Sequence, residues 1–329
     1  MSFTINGKEL SLPALIPSVS SFETQIAPES AIDLQAALAE PITLVSAYDL
    51  HQNPSLVEKV TQFRAGGRIV LMDSGGYESS RINRYAKDES RWDIEKFKEC
   101  VLACPADLVA SFDYFIKEEQ SFPNFEDELI SHLQGHDFIS KKSLIPVIHL
   151  QSYLGNYTFS EQETLSICDR IASEFDPGFI AIPERELGSG MAQKMSLLQA
   201  ITEKFKTARR STRIHVLGCG NPLSFALLCS SGASMADGLE WCRTLVGADF
   251  RLHHFQQSEL FEEQESKIYN PTAEIIRNST SNYKTKTLAR NLYALQQFNQ
   301  EVGAMLAMGH LSDFVEDNFG VKAAEMIRR

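Results

Sequence analysis

Short apolar runs alternate with longer amphipathic stretches along most of this chain. The runs Ile42–Ala47, Arg68–Met72, Asp107–Phe112, Leu144–His149, Gly178–Ile182 and Arg213–Leu217 are almost continuously apolar. That is the pattern of strands covered on both faces. Between them, Pro54–Arg64, Arg91–Ala103, Ser160–Glu174, Gly190–Thr207 and Pro222–Ser231 carry helical periodicity. A repeated βα unit implies a parallel sheet with right-handed crossovers. Six such units, with room for two more, predict an α/β fold of the closed (β/α)8 TIM-barrel type, with an open doubly wound sheet as the structural alternative. From Asn278 the pattern changes. Thr285–Gly309 reads as one long helix with Leu288, Leu292, Leu295, Val302 and Leu306 among its apolar positions, and a further helical stretch runs to Arg329. Residues 285–329 are therefore expected to close and cap a single barrel domain spanning 1–329. The polar, acidic stretch Leu252–Asn270 is expected to be a long loop or insertion.

Composition narrows the function classes. Apolar residues at 43% and charged residues at 22% describe a globular chain rather than a disordered one. The net charge of −12 argues against gripping nucleic acid by bulk charge but leaves a local basic patch open. The six cysteines form no C-x-x-C pair, and Met1–Leu10 has no apolar leader core. Reduced thiols and a cytoplasmic location are the expectation. No apolar run approaches the ~18 residues of a membrane span, so no membrane association is expected.

The chemistry gathers where a barrel places it, at the C-terminal ends of the strands. Asp73-Ser74-Gly75-Gly76-Tyr77 follows one strand, Asp113 another, and His149 with Gln151 a third. Gly218-Cys219-Gly220-Asn221-Pro222 follows a fourth, and the short segment Ser234–Ala236 ends in Asp237. Each has a plain reading: an aspartate after a strand is often a cap or turn residue, and His149 is often a core histidine. A lone G-x-G is weak evidence for a phosphate loop. Three aspartates at three strand ends nonetheless form a constellation. Two carboxylates facing a sugar carbon suggest glycosidic chemistry, one as nucleophile and one managing a proton. Tyr77 is placed to stack on a planar base, backbone amides at the glycines Gly75, Gly76, Gly218 and Gly220 to approach its edge, and Ser74 is expected among the substrate contacts.

These residues resemble the tRNA-guanine transglycosylase (queuine tRNA-ribosyltransferase) superfamily. Leu71–Tyr77 is similar to its D-S-G-G-[FY] signature, Ala106–Asp113 to its strand ending in F-D, and His215–Pro222 to its L-x-G-x-G-x-P segment. Gly232–Asp237 resembles its G-x-D-x-F-D, and Asn291–Phe314 its closing helix. The matches occur in family order. The resemblance implies a glycosyltransferase that replaces guanine in a polynucleotide, tRNA or DNA, by a 7-deazaguanine, as in queuosine formation. Asp237 sits at the family's nucleophile and Asp73 at its general base. Asp113 matches the residue binding the polar edge of the base, and Tyr77 the stacking aromatic. The base-reading glutamine aligns with either His149 or Gln151. No cofactor is implied.

The departures are as specific. No cysteine follows Cys242, so the family's C-x-C-x-x-C…H zinc site is missing and no metal is expected. Ala289-Arg290 stands where its histidine is expected, and Pro183-Glu184-Arg185 replaces its G-G-L strand end. Glu184 either accepts a hydrogen bond from an exocyclic amine or is a surface residue. Glu240 is a competing nucleophile if the alignment slips by three, although the spacing from Gly232 favours Asp237. These departures suggest a zinc-less, divergent member, and relatives that insert deazaguanines into DNA are also divergent. Arg81 and Arg84, following the Asp73 loop, are the expected phosphate contacts. Lys206, Arg209, Arg210 and Arg213 read better as a solvated helix face, and Lys284, Lys286 and Arg290 form a third cluster. Two alternatives stay open: a non-catalytic partner subunit of a transglycosylase complex, and a glycosidase that uses water. The resemblance also implies pairing, as a homodimer or with a partner protein that supplies the grip on nucleic acid.

Overall fold

The computed structural model describes residues 2–22, 24–76, 92–117, 120–152, 155–257 and 282–328. The chain opens with an antiparallel hairpin, Ser2–Ile5 (β1) and Lys8–Ser11 (β2). Eight parallel strands follow: Ala14–Val19 (β3), Ile42–Ser46 (β4), Ile69–Asp73 (β5), Leu108–Ala110 (β6), Leu144–Ile145 (β7), Phe179–Pro183 (β8), Arg213–Leu217 (β9) and Ala233–Gly238 (β10). Their order in the sheet is their order in sequence, and β10 pairs back onto β3. The remaining gap, between β7 and β8, is bridged by a parallel contact of Val147 with Ala181. There Ile148 N–H donates to Ala181 O and Ala181 N–H to Pro146 O, each at 2.8 Å. The sheet is thus a nearly closed α/β barrel of the predicted kind.

Two strands escape the sequence pattern. β3 carries Pro17 and Ser18 inside an otherwise apolar run, which hides its strand character. It tolerates the proline because its ladder with β4 holds only at Ser18–Leu44 and Val19–Val45. Below that point the Gln35 side-chain amide donates to Pro17 O at 3.3 Å, and Leu15 N–H donates to Asn299 Oδ1 at 2.9 Å. β10 is longer than the expected Ser234–Ala236 and contains Asp237 itself. Conversely, Leu252–His254 (β12), expected as loop, pairs antiparallel with Thr244–Val246 (β11). The rest of that expected insertion, from 258 onward, lies outside the described residues.

The barrel interior is filled by alternate residues: Ile16, Leu44, Leu71, Ala110, Ala181 and Met235 belong to one buried cluster. The intervening residues, such as Val45, Val70, Met72, Ile180 and Val216, pack outward beneath helices. Both faces are covered, which is why the strands read as unbroken apolar runs. The hairpin plugs the N-terminal end of the barrel with Ile5 and Leu10, and Phe3 meets Phe179 edge-on at 4.7 Å.

The expected terminal helices are present as Tyr283–Met308, Leu311–Phe319 and Val321–Arg328. Gly309 ends the first with φ 76°, a left-handed cap. Its Phe298 and Val302 join Phe225 and Phe314 in one core cluster. Buried Asn291 ties this helix to β11: it donates to Trp241 O at 2.8 Å and Thr244 O at 2.7 Å, and accepts from Val246 N–H at 2.8 Å. No helix among the described residues is long and apolar enough to cross a membrane.

Asp107 locks the plugged end. Its fully buried carboxylate accepts from Lys8 Nζ at 2.9 Å, Asn6 Nδ2 at 3.1 Å, Arg64 Nη2 at 3.0 Å and Val70 N–H at 3.1 Å. Burial acts to raise its pKa, but the Lys8, Asn6 and Arg64 donors outweigh burial and hold it below its ordinary value. Removing one partner of such a buried set strands the others, so Asp107→Ala is expected to cost about 3–5 kcal/mol in urea unfolding at pH 7. A depressed carboxyl pKa contributes stability above its unfolded value, near 3.8, and loses it as pH falls through the folded value. The gap between wild type and variant is therefore expected to be full at pH 6 and to shrink below pH 4.

Candidate active site at the barrel mouth

Period-two alternation decides which strand-end residues face the barrel axis. Continuing the inward series upward from Ile16, Leu44, Leu71 and Met235 gives Ser18, Ser46, Asp73 and Asp237. Continuing from Ile145 and Val147 gives His149. Asp73 and Asp237, named from sequence as general base and nucleophile, both stand on inward-facing positions toward the C-terminal ends of their strands. In the ladder Asp73 is paired to Ser46 and Asp237 to Ile16.

Asp237 is 7% exposed and held by three donors. Its Oδ1 takes His215 Nε2 at 3.0 Å and Gly218 N–H at 3.2 Å, and its Oδ2 takes Ser18 Oγ at 3.0 Å. His215 faces inward from β9, two residues below the strand end, and is fully buried. Its other ring nitrogen, Nδ1, has no hydrogen-bond partner among the described residues. Gly218 uses its amide on Asp237, so that N–H belongs to the carboxylate site rather than to a phosphate loop.

Asp113 anchors a second group. Its Oδ2 accepts from Ser74 Oγ at 3.0 Å and its Oδ1 lies 3.0 Å from His149 Nε2. His149 Nδ1 lies 3.0 Å from Glu186 Oε1, and Glu186 Oε2 accepts Leu150 N–H at 2.7 Å. Burial opposes charging of His149, yet Asp113 and Glu186 together raise its pKa to about 9. The Asp73 loop is shaped around this group. Gly75 has φ 79° and packs on Tyr48, and a Cβ on Gly76 would fall on the Asp113 carboxylate. Trp92 Nε1–H fixes the loop from outside by donating to Ser74 O at 2.9 Å. Gly75 N–H in turn donates to Asp73 Oδ2 at 3.3 Å.

The other sequence candidates separate. Glu184 is half-buried and ion-paired with Lys194 Nζ at 2.5 Å, so it is not a free surface residue. Glu240 packs its carboxylate against the Cα atoms of Gly220 and Gly238. Burial, with Asp237 and Glu184 adding to it, raises the Glu240 pKa. Burial also pushes up the neighbouring Cys219 thiol, which stays protonated and is a poor nucleophile. Gln151 bridges to Thr158 in the loop beyond His149, so of the two glutamine-equivalent positions only His149 meets Asp113. Tyr77, Arg81 and Arg84 lie outside the described residues. Of the doubted basic cluster, Arg210 pairs with Asp169 at 3.1 Å, and Arg213 starts β9 over the Phe3 ring at the plugged end, away from the mouth. Among the described residues no group of His, Cys, Asp and Glu is arranged to hold a metal ion.

Three site residues were not singled out from sequence. Ser18 lies on the strand that Pro17 disguised. His215 lies inside an apolar run, where alternation with Leu217 and Ile214 was its only signal. Glu186 stands in the Glu184–Glu186 turn after β8, with only an acidic turn composition to mark it. No known family model matches the chain, and no curated protein matches it.

His149 ties site geometry to pH. A histidine whose pKa is raised on folding contributes stability that is fully present below its unfolded value of 6.5 and is lost as pH rises through about 9. His149→Gln is expected to cost on the order of 3 kcal/mol at pH 6. The deficit should dwindle between pH 6.5 and 9.5 in a series of denaturant melts. Gly76→Ala should destabilise by about 1–3 kcal/mol through overpacking against Asp113, read as a lower midpoint in the same melts.

Proposed function

We propose that this chain exchanges a purine base on a polynucleotide, replacing guanine by a 7-deazaguanine through a covalent glycosyl–Asp237 intermediate. The observation that carries the reading is that Asp73 and Asp237 both take inward-facing positions toward the C-terminal ends of their strands, with Asp113 bonded to Ser74, the residue after Asp73. It is strengthened by the motif resemblance, whose nucleophile, base and edge-reading residues are these three aspartates.

The chemistry follows from the hydrogen bonds. Asp237 Oδ1 is committed to two donors and Oδ2 to one, so Oδ2 has the lone pair to spare for attack on C1′. As the Oδ2–C1′ bond forms, the C1′–N9 bond breaks and its electron pair leaves with guanine, which takes up a proton from water. His215, Ser18 and Gly218 fix the carboxylate's orientation, so little rearrangement is needed to reach that geometry. In the second half, Asp73 removes the N9 proton of the incoming base. N9 then attacks C1′ from the opposite face and Asp237 leaves as carboxylate. Two inversions give net retention and ping-pong kinetics. The target nucleotide must leave its stack to reach a barrel mouth, so an unpaired loop or a flipped base is the substrate form. In this reading Tyr77 stacks on that base, and Arg81 and Arg84 hold flanking phosphates. tRNA and DNA both satisfy this chemistry.

Incubation with labelled guanine and bulk tRNA or single-stranded DNA should incorporate label, and denaturing gels should trap a protein–nucleic acid adduct. Asp237→Ala should abolish both. Asp73→Asn should retain the adduct but lower turnover by about 10²–10⁴-fold, the usual worth of a general base. Equal label exchange by wild type and Asp237→Ala would sink the assignment.

A further inference from the structure

One group at the mouth takes no part in base exchange as described: His149, whose two ring nitrogens both point at carboxylates. Asp113 Oδ1 lies 3.0 Å from Nε2 and Glu186 Oε1 3.0 Å from Nδ1. Only a doubly protonated imidazolium donates to both at once. Glu186 is pinned in turn by Leu150 N–H at 2.7 Å, so the chain of contacts starts from the backbone. Phe115 stacks on the imidazole with ring centroids 3.9 Å apart and shields it. Side-chain exposure rises along the series, from 3% at Glu186 and 6% at His149 to 21% at Asp113. Asp113 is therefore the end that meets the mouth. With both nitrogens occupied, His149 has no polar atom left for a substrate.

We propose that Glu186 and His149 are positioning residues that keep Asp113 an oriented, acceptor-only carboxylate, and that they thereby set selectivity for a 2-amino-6-oxopurine. This rests on the base-exchange reading above. The physical reason is donor matching. Guanine and its 7-deaza analogues present N1–H and a 2-amino N–H side by side, which an ionised carboxylate accepts as a pair. Hypoxanthine offers only N1–H. Adenine turns a bare N1 acceptor toward the carboxylate, leaving lone pair against lone pair. Sites built to hydrogen-bond a substrate group discriminate strongly against analogues that lack it. Without the imidazolium, Asp113 would face Glu186 with no cation between them and would lose the donor that fixes its Oδ1. Among the described residues, the charged groups facing this ring are Asp113 from the segment after β6 and Glu186 from the turn after β8, with exposed Arg185 Nε 3.8 Å beyond Glu186. His132, on the helix Phe122–Gln134, senses Asp113, but burial lowers its pKa and keeps it neutral.

The test uses the full chain as wild type, Glu186→Gln, His149→Gln and His149→Asn. Imidazole 15N spectra of wild type should show both His149 nitrogens protonated at pH 7.5, and Glu186→Gln should move that titration down toward the ordinary histidine range. In exchange assays each variant should raise KM for guanine by about tenfold or more, the worth of a charge-assisted hydrogen bond, with kcat falling by less. The preference for guanine over hypoxanthine should shrink in step. A singly protonated His149 in wild type at pH 7.5 overturns the proposal, as do variants that lose activity equally on both bases. If His149→Gln fails to fold, near-isosteric Glu186→Gln carries the test. An active wild type whose variants keep full selectivity overturns this inference alone. A wild type that neither exchanges nor binds guanine in calorimetry removes the base-exchange reading and this inference with it.

Discussion

A barrel of eight parallel strands admits every second residue of each strand to its interior, and the rest of this structure follows from that constraint. Lower in the barrel the admitted residues are apolar and fill the space. At the mouth they become Ser18, Ser46, Asp73, His149 and Asp237. A carboxylate brought into such a site loses water on most sides and must find donors from the protein. Asp237 finds His215, Ser18 and the Gly218 amide, and Asp113 finds Ser74 and His149. The donors are supplied by strands adjacent in the barrel, or by the loops immediately after them. Closure is thus what makes the acidic mouth tolerable.

The two ends of the barrel solve similar problems for different ends. At the plugged end Asp107 is surrounded by Lys8, Arg64, Asn6 and a backbone N–H, with no open side. It staples the N-terminal hairpin to β5 and β6. At the mouth Asp113 keeps part of its side chain exposed, and among the described residues the cations stand to one side of the carboxylates: His149 between Asp113 and Glu186, Arg185 beyond Glu186, and Lys194 on Glu184. A saturated carboxylate holds structure together. A partly satisfied one, oriented by donors on its inner side, retains lone pairs for a substrate. The overall charge of −12 is consistent with a chain that concentrates carboxylates, and the proposed binding of a polyanion would call on local cations rather than on bulk charge.

Much of the barrel was legible because its strands are buried on both faces. Six of them stand out as apolar runs, and the long terminal helix stands out through Leu288, Leu292 and Leu295. β3 was hidden because Pro17 and Ser18 interrupt its run, and both residues are there for reasons beyond the strand itself. Pro17 sits where the ladder to β4 has opened, and Ser18 serves Asp237. β12 was hidden because a three-residue polar ribbon carries too little periodicity to see.

The amino-acid order alone determined the βα repeat, and with it the end of the barrel at which Asp73, Asp113, His149 and Asp237 emerge. A strand's apolar run marks where it stops, and the next residue is local information. The partners of those residues are another matter. His215 lies 22 positions from Asp237, Ser18 lies 219 positions away, and Glu186 lies 37 from His149. Nothing in the local pattern links such pairs. They meet because closing the sheet brings β3 beside β10 and the β8 turn beside the end of β7, and because a buried carboxylate or imidazole is stable only where a partner of matching chemistry arrives.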